Sequence, residues 1–121
     1  MEGQRARIGE HSYAILDGDA IAGTISLSNV VRGAFQNANV GYWVDRARNG
    51  RGLATRALAA MVDEAFGDLA LHRLEAGTLV DNVASQRVLE KNGFERIGLA
   101  RRYLYIGGDW RDHVLFQRIA E

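Results

Sequence analysis

Apolar and polar residues alternate along the first third of the chain, and this period of two predicts β-strands. Two apolar runs within residues 12–30 are joined by Asp-Gly-Asp at 17–19, and Asp-Gly between such runs is typical of a β-hairpin. A turn through residues 33–39 then leads into a third predicted strand over about residues 39–44. The chain therefore begins with three strands.

The period changes to that of a helix at Leu53, where apolar residues begin to recur at spacings of one and four up to Phe66, before Gly67. Residues 72–80 alternate again, and a second, shorter helix begins at Asp81 or Asn82 and runs through Lys91. Two more strands surround the turn at residues 107–109. The predicted order is β-β-β-α-β-α-β-β, an α/β fold in which two helices pack against a mixed sheet in one domain over residues 1–121.

Composition narrows the function classes. Lys+Arg and Asp+Glu both number 15, so the chain has no net charge and no general attraction to nucleic acid or membranes is predicted. The absence of cysteine excludes disulfides, thiolate metal sites and a cysteine nucleophile, and the three histidines have no metal-ligand spacing. Without an apolar leader or a membrane-length apolar stretch, a cytoplasmic location is expected and no metal is predicted.

The junction between the third strand and the first helix combines several arginines with glycines, whose backbone is not covered by side chains. Residues 48–58, RNGRGLATRAL, contain two glycines and three arginines. One aspartate and four arginines between residues 45 and 56 make a local charge of +3 in a neutral chain. Glycines at the start of a helix expose backbone N–H groups to a ligand, and the helix dipole favours an anion there. The junction therefore predicts a phosphate site.

The residues alone leave three interpretations of this junction open. The Walker pattern is absent, but Gly50-x-Gly52-x-x-Thr55 approaches the dinucleotide-binding pattern. Thr55 stands where that pattern needs Gly or Ala, and the preceding strands form an antiparallel hairpin. The second interpretation is a glycine-rich connection with solvated arginines. The third is a cradle for the pyrophosphate of coenzyme A.

Four blocks of the sequence resemble the GNAT superfamily of N-acetyltransferases. Residues 43–58 resemble its motif A, [RQ]-x-x-G-x-[GA], which here reads Asn49-x-x-Gly52-x-Ala54 with Asn in place of Arg or Gln. Residues 71–98 resemble the strand–helix–strand unit that follows and contain its Lys-x-Gly-Phe signature at 91–94. Residues 28–35 and 103–116 are similar to the branch that acetylates an N-terminal alanine of a ribosomal protein. The resemblance covers about residues 8–119.

This resemblance implies a mixed, mostly antiparallel GNAT-type sheet and an enzyme that moves the acetyl group of acetyl-CoA to an amine. The implied acceptor is the N-terminal amine of a protein or peptide, such as a ribosomal protein, or a small amine. The alternative from another class is a non-catalytic acyl-CoA-binding or protein-interaction module.

The resemblance also implies the cofactor site. It places coenzyme A against Val44, Asn49, Gly50, Arg51, Gly52, Leu53, Ala54, Thr55, Asn82, Ser85 and Lys91. The backbone N–H of Val44 is expected to donate to the thioester carbonyl oxygen. Leu89 occupies the position where many relatives carry a tyrosine acid, so the general acid is expected to be Ser85, with water or a distant tyrosine as alternatives. Asn82 is predicted both to cap the second helix and to contact the pantetheine arm.

The acceptor side is predicted from the blocks specific to the branch. Arg32, Trp43, Trp110 and His113 are the expected contacts. The alternative for Arg32 is a solvated hairpin residue, and the alternative for Trp110 is a core aromatic. Of the neighbours Tyr42 and Trp43, Tyr42 is expected in the core and Trp43 in the groove.

The general base is left unassigned, because the third strand holds no carboxylate. Glu10, Asp112 and His113 are candidates acting through water. Asp112 and His113 are adjacent on a strand and face opposite sides, so they cannot form a triad. An α-amine, whose pKa is about 7.7–8.0 against about 10.4 for lysine, needs the weaker base.

Members of this branch usually begin with a strand and two helices ahead of the segment matched here. The resemblance therefore implies apolar surface that those helices would cover. Because large exposed apolar patches drive association, we expect a self-associated protein, most simply a two-fold homodimer that buries the first hairpin, Ser12 to Leu27.

Overall fold

A computed structural model describes residues 5–48, 50 and 52–120. Within that part of the chain the strands are β1 (Arg5–Arg7), β2 (Ser12–Asp17), β3 (Ala20–Val31), β4 (Asn37–Val44), β5 (Arg73–Leu79), β6 (Glu95–Ile106) and β7 (Asp109–Ile119). The α-helices are α1 (Leu53–Phe66) and α2 (Val83–Lys91), and a short 3-10 turn covers Arg46–Arg48.

The strands form one sheet in the order β1-β2-β3-β4-β5-β7-β6. Every neighbouring pair is antiparallel except β4 and β5, which are parallel and are connected through α1. The predicted α/β class and the order of elements are confirmed. The prediction missed β1, which is three residues long and lies at the sheet edge, too short to show a period of two.

The apolar stripe of α1 explains how the helix meets the sheet. Its inward residues, Leu58 and Met61 among them, are fully buried and pack on side chains such as Ile25 and Leu74. The helix contacts β2 to β5 and also α2. Both helices therefore cover one face of the sheet, as right-handed crossovers from β4 to β5 and from β5 to β6 require.

The sheet splits between its two parallel strands. The pairing of β4 with β5 covers Asn37 to Asn39 opposite Arg73 to Glu75, and in the described chain it goes no further. Beyond that point β4 remains paired with β3, and β5 remains paired with β7. The strands diverge from Asn39 and Glu75 onward. We call this opening the fork.

The first hairpin is packed within the single chain. Tyr13, Ile15 and Ile25 are buried in the core that α1 covers, while Ile21 stays exposed. Burial of this hairpin by a second copy stays a prediction. In the described ranges, no helix is long and apolar enough to cross a membrane.

Candidate functional site

The first turn of α1 is left open to a ligand. Gly52 precedes the helix with φ 74°, and no side chain caps the helix start. Gly50 has φ 84°, and a side chain built there would meet nothing within 4 Å. Because the first N–H groups of a helix have no intrahelical acceptor, these amides and the helix dipole make a site for an anion.

A cleft of about 280 Å³ lies between this turn and one face of α2. We call it the helix cleft. The predicted cofactor residues that line it are Val44, Gly50, Gly52, Leu53, Ala54, Thr55 and Lys91. Asn49 and Arg51 lie outside the described residues. Asn82 and Ser85 stand at the start of α2, where Asn82 Oδ1 accepts a hydrogen bond from Ser85 N at 3.2 Å, so the expected helix cap is confirmed.

The structure adds cleft residues that the motif did not indicate. Arg48 and Arg87 both line the helix cleft, and Arg48 Nη1 lies 2.8 Å from Asp17 Oδ2 of the first hairpin. On α2 the cleft residues stand at 84, 87, 88 and 91, which is the spacing of one helix face. That spacing is visible in the sequence and could have found Arg87.

Asn92 holds the two walls of the helix cleft together. Its buried side-chain Nδ2 donates to the carbonyl oxygen of Thr55 at 3.2 Å and to that of Val88 at 3.1 Å. The end of α2 is thereby tied to the first turn of α1. A buried amide with both bonds made fixes the width of the cleft.

A hydrogen bond also ties β4, one arm of the fork, to α2. Tyr42 Oη on β4 lies 3.1 Å from Ser85 Oγ and 3.2 Å from the Ser85 carbonyl oxygen on α2. Burial raises the pKa of Tyr42 above its usual 10.0, although the hydrogen bond with Ser85 lowers it. The phenol therefore stays protonated at neutral pH and can donate to Ser85 Oγ. Tyr42 packs against the core as expected, but its hydroxyl was missed.

A second cleft, of about 410 Å³, opens on the sheet face opposite the helices. We call it the sheet cleft. It begins at the fork, where Asn39 and Glu75 are the last paired residues, and it includes His113. Gly41 and Gly77 put bare backbone on its floor, one on each arm of the fork. Glu75 Oε2 lies 2.7 Å from Arg73 Nη1, which holds the carboxylate in place.

Among the predicted acceptor residues, only His113 is found in the sheet cleft. Trp43 is exposed on β4, on the same face as Gly41. Trp110 is 57% exposed and packs on Tyr105, with ring centroids 5.4 Å apart, so the core alternative for Trp110 is wrong. It borders a pocket at the end of β5 instead.

Arg32 holds the loop between β3 and β4 against the end of α1. Its Nη1 donates to the Leu69 carbonyl oxygen at 2.6 Å and to Gln36 Oε1 at 3.1 Å. Leu69 follows the end of α1 that lies away from the helix cleft. The side chain is exposed, and its contact with an acceptor stays a prediction.

Two of the candidate bases lie outside the sheet cleft. Glu10 is exposed in the turn before β2, with Oε2 3.8 Å from His11 Nε2. Asp112 is exposed, and its Oδ1 accepts a hydrogen bond from Arg102 N at 2.8 Å. Among the described residues there is no cluster of three or more His, Asp or Glu side chains that would hold a metal ion.

Comparison with known proteins identifies the family of this chain. Residues 2–95 match the acetyltransferase (GNAT) domain, and the chain belongs to the GNAT acetyltransferase family. Members of this family use acetyl-CoA. The expected class, N-acetyltransferase, and its cofactor are thereby confirmed at the level of the family.

Individual relatives place the chain within that family. It is 43% identical over 125 residues to the probable N-acetyltransferase YjcK of Bacillus subtilis, covering 93% of this chain and 69% of YjcK. It is 39% identical over 105 residues to the [ribosomal protein uS5]-alanine N-acetyltransferase of Escherichia coli, covering 85% of this chain and 54% of that enzyme.

A solved structure shows the same fold. Mycobacterium smegmatis RimJ in complex with CoA-disulfide superposes with a TM-score of 0.86 at 39% identity, covering 91% of this chain and 54% of RimJ. The chain thus spans little more than half the length of RimJ and of the uS5-alanine enzyme.

Proposed function

We propose that this chain transfers the acetyl group of acetyl-CoA to the N-terminal α-amine of a protein or peptide, as the ribosomal-protein-alanine acetyltransferases it resembles do. The observation that carries the proposal is the fork. Val44 on β4 lines the helix cleft, while Val40 and Gly41, on the same stretch of β4 that no longer pairs with β5, line the sheet cleft. A donor held in one cleft can thus meet an acceptor held in the other.

The residues of the helix cleft fit the pyrophosphate of coenzyme A. Gly50 leaves space for close approach, the first amides of α1 supply donors, and Arg87 and Lys91 add positive charge. When bound, acetyl-CoA supplies an acetyl group activated as a thioester. Asn49 and Arg51 belong to the same loop, and their contacts with the cofactor stay predictions.

Val44 is oriented for the role expected of it. Asp45 N donates to the Ala22 carbonyl oxygen on β3 at 2.6 Å. Successive N–H groups of a strand point to opposite sides, so the N–H of Val44 points away from β3 and into the fork. This direction supports the proposal that the Val44 N–H donates to the thioester carbonyl oxygen and stabilises the negative charge that develops on it.

The Tyr42–Ser85 pair supplies the proton for the departing thiol. When Tyr42 donates its hydrogen to Ser85 Oγ, Ser85 can donate its own hydroxyl hydrogen to a group bound in the fork. The thiolate takes the Ser85 hydroxyl proton as its S–H bond forms, Tyr42 passes its phenol proton to Ser85 Oγ, and the phenolate then regains a proton from solvent. We therefore assign Ser85 as the acid and Tyr42 as the residue that positions and recharges it.

The acceptor assignment follows from the chemistry of amines. At neutral pH about a tenth of an α-amine with a pKa of about 7.7–8.0 is already neutral, against less than a thousandth of a lysine amine with a pKa of about 10.4. No carboxylate of β4 faces the fork as a strong base. An N-terminal amine is therefore the acceptor that this site suits.

Thiol release from acetyl-CoA tests the proposal. The protein is given a peptide that begins with alanine and has one internal lysine, and mass spectrometry locates the acetyl group. The controls are the same peptide with a formylated N-terminus, and alanine amide as a small amine. We expect acetylation of the free N-terminus alone. Release only with alanine amide would indicate a small-amine enzyme, and coenzyme A binding without any release would indicate a binding module.

Ser85→Ala is expected to lower kcat about tenfold while coenzyme A affinity stays within twofold of the parent, because a proton donor acts in the transition state. Tyr42→Phe should lower kcat by a similar factor, and the double variant by little more than either, since both hydroxyls serve one proton path. Steady-state kinetics and calorimetry measure these effects. A kcat within twofold of the parent in Ser85→Ala would place the acid elsewhere.

A further inference from the structure

His113 has a defined tautomer in a buried position on the sheet cleft. It is 4% exposed, and its Nδ1 lies 3.0 Å from the carbonyl oxygen of Arg111. A carbonyl oxygen only accepts hydrogen bonds, so Nδ1 carries the proton. In the neutral ring Nε2 is therefore an unprotonated acceptor, and the hydrogen bond that His113 makes within the described residues is at Nδ1.

The Nε2 edge of this ring adjoins the bare floor of the cleft. A side chain built on Gly77 would place its Cβ 3.3 Å from Leu115 Cδ2 and 3.8 Å from His113 Cδ2, the ring carbon bonded to Nε2. Because Gly77 has no side chain, the cleft floor beside Leu115 and His113 is backbone alone. On the other side the ring packs against Tyr103, with centroids 5.6 Å apart. His113 thus presents one nitrogen to the backbone and the other to the cleft.

The sheet cleft that His113 borders is lined by few charged or titratable groups. From β5 comes the Glu75 carboxylate, and from β6 the Tyr103 phenol; the side chains that β3 and β4 contribute to the cleft, such as Ser28 and Asn39, are neutral. Asp112 is the neighbour of His113 on β7 and faces the other side. Glu75 is therefore the negative charge in this cleft nearest to the fork.

We propose that His113 is the base of acetyl transfer, an inference that rests on the proposed function. Its Nε2 takes a proton from the α-ammonium group of the acceptor in the sheet cleft. The N–H bond of the ammonium breaks, an Nε2–H bond forms, and the freed lone pair of the amine becomes the nucleophile. The imidazolium then returns its proton to solvent. This supplies the base that β4 lacks.

The pH dependence of His113→Asn tests this role. Asparagine keeps a donor near Nδ1 for the Arg111 carbonyl and removes Nε2. Since general bases contribute about 10²- to 10⁴-fold, we expect kcat/KM for the alanine-starting peptide to fall about 100-fold at pH 7. The loss should shrink to less than about tenfold at pH 9, where an α-amine with a pKa of about 8 is already neutral.

The controls separate a base from a structural residue. His72→Asn, on an exposed histidine before β5, should match the parent at every pH. A loss in His113→Asn that is equal at pH 7 and pH 9 would mean a structural role and would overturn the proposal. A pH profile of kcat/KM in His113→Asn that matches the parent would also overturn it. So would a fall of kcat/KM at low pH that persists in His113→Asn and disappears in Glu75→Gln.

A second readout needs no turnover. Two-bond ¹H–¹⁵N spectra of the parent with coenzyme A should show His113 protonated at Nδ1. Adding the peptide should change the pH dependence of the His113 ring signals. These signals are assigned by their absence in His113→Asn. Protonation of His113 at Nε2 would contradict the proposal, and so would His113 signals that do not change when the peptide is added. If the parent acetylates no amine, the proposed function fails, and this spectrum still decides whether His113 meets the peptide.

Discussion

Gly52→Val should weaken coenzyme A binding about 100-fold, or about 2.8 kcal/mol at 1.4 kcal/mol per tenfold change. Gly52 has φ 74°, a left-handed conformation that a β-branched residue avoids, and a Cβ there would lie 3.0 Å from Arg56 Nη1. Valine therefore moves the turn that aims the first amides of α1 and places a side chain where the pyrophosphate approaches. Calorimetric titration with coenzyme A measures the loss.

Gly33→Val is the matched control for this variant. Gly33 has φ 71° and open space around it, but it stands in the loop between β3 and β4, at the far end of α1. Both variants should lose about 1–3 kcal/mol of folding stability, since each forces a side chain into left-handed backbone. Only Gly52→Val should lose affinity. Equal coenzyme A affinity in the two folded variants would show that the pyrophosphate does not bind at this turn.

Gly41→Val should lower kcat/KM for the peptide acceptor by more than about 100-fold, or about 2.8 kcal/mol of transition-state stabilisation. Gly41 lies on the floor of the sheet cleft, next to the fork. A Cβ built there meets nothing within 4 Å, so the protein itself accommodates the new side chain. The volume that valine fills is the volume that an acceptor amine must enter to reach the fork.

The fold should survive this change, because valine is favoured in strands and Gly41 needs no special backbone conformation. Circular dichroism and calorimetry with coenzyme A check the fold and the helix cleft, while peptide kinetics report the sheet cleft. Gly41→Ala gives an intermediate step, so the loss should grow with side-chain volume. Parent-like peptide acetylation in Gly41→Val would place the acceptor on another surface.

Most elements were predictable because their signals are local. The stripe from Leu53 to Phe66 and the cap at Asn82 depend on neighbours within one or two helical turns. The strands around the Asp-Gly turn depend on alternation and turn chemistry alone. The strand Arg5–Arg7 was missed because three residues carry no period, and its pairing with β2 exists only in the folded sheet.

The parts of the site that could be predicted are those whose residues lie close together in the sequence. The helix cleft is built largely from one glycine-rich segment, so a motif could name residues such as Gly52 and Thr55 in advance. Arg87 comes from a helix more than thirty residues later, and its place in the cleft depends on how α2 packs against α1. The contact of Arg32 with Leu69 and the exposure of Trp110 could not be predicted, because sequence position does not say which end of the sheet a loop reaches.

The sequence by itself determined the order of strands and helices, the charged glycine turn and the resemblance to the acetyltransferases, because each is encoded by residues close together in the chain. Only the tertiary structure decided the fork and the direction of the Val44 N–H. It also decided the meeting of Tyr42 with Ser85, and that of His113 with Gly77. These depend on strand register and on where two parallel strands diverge, which many distant side chains set together when they pack into one core.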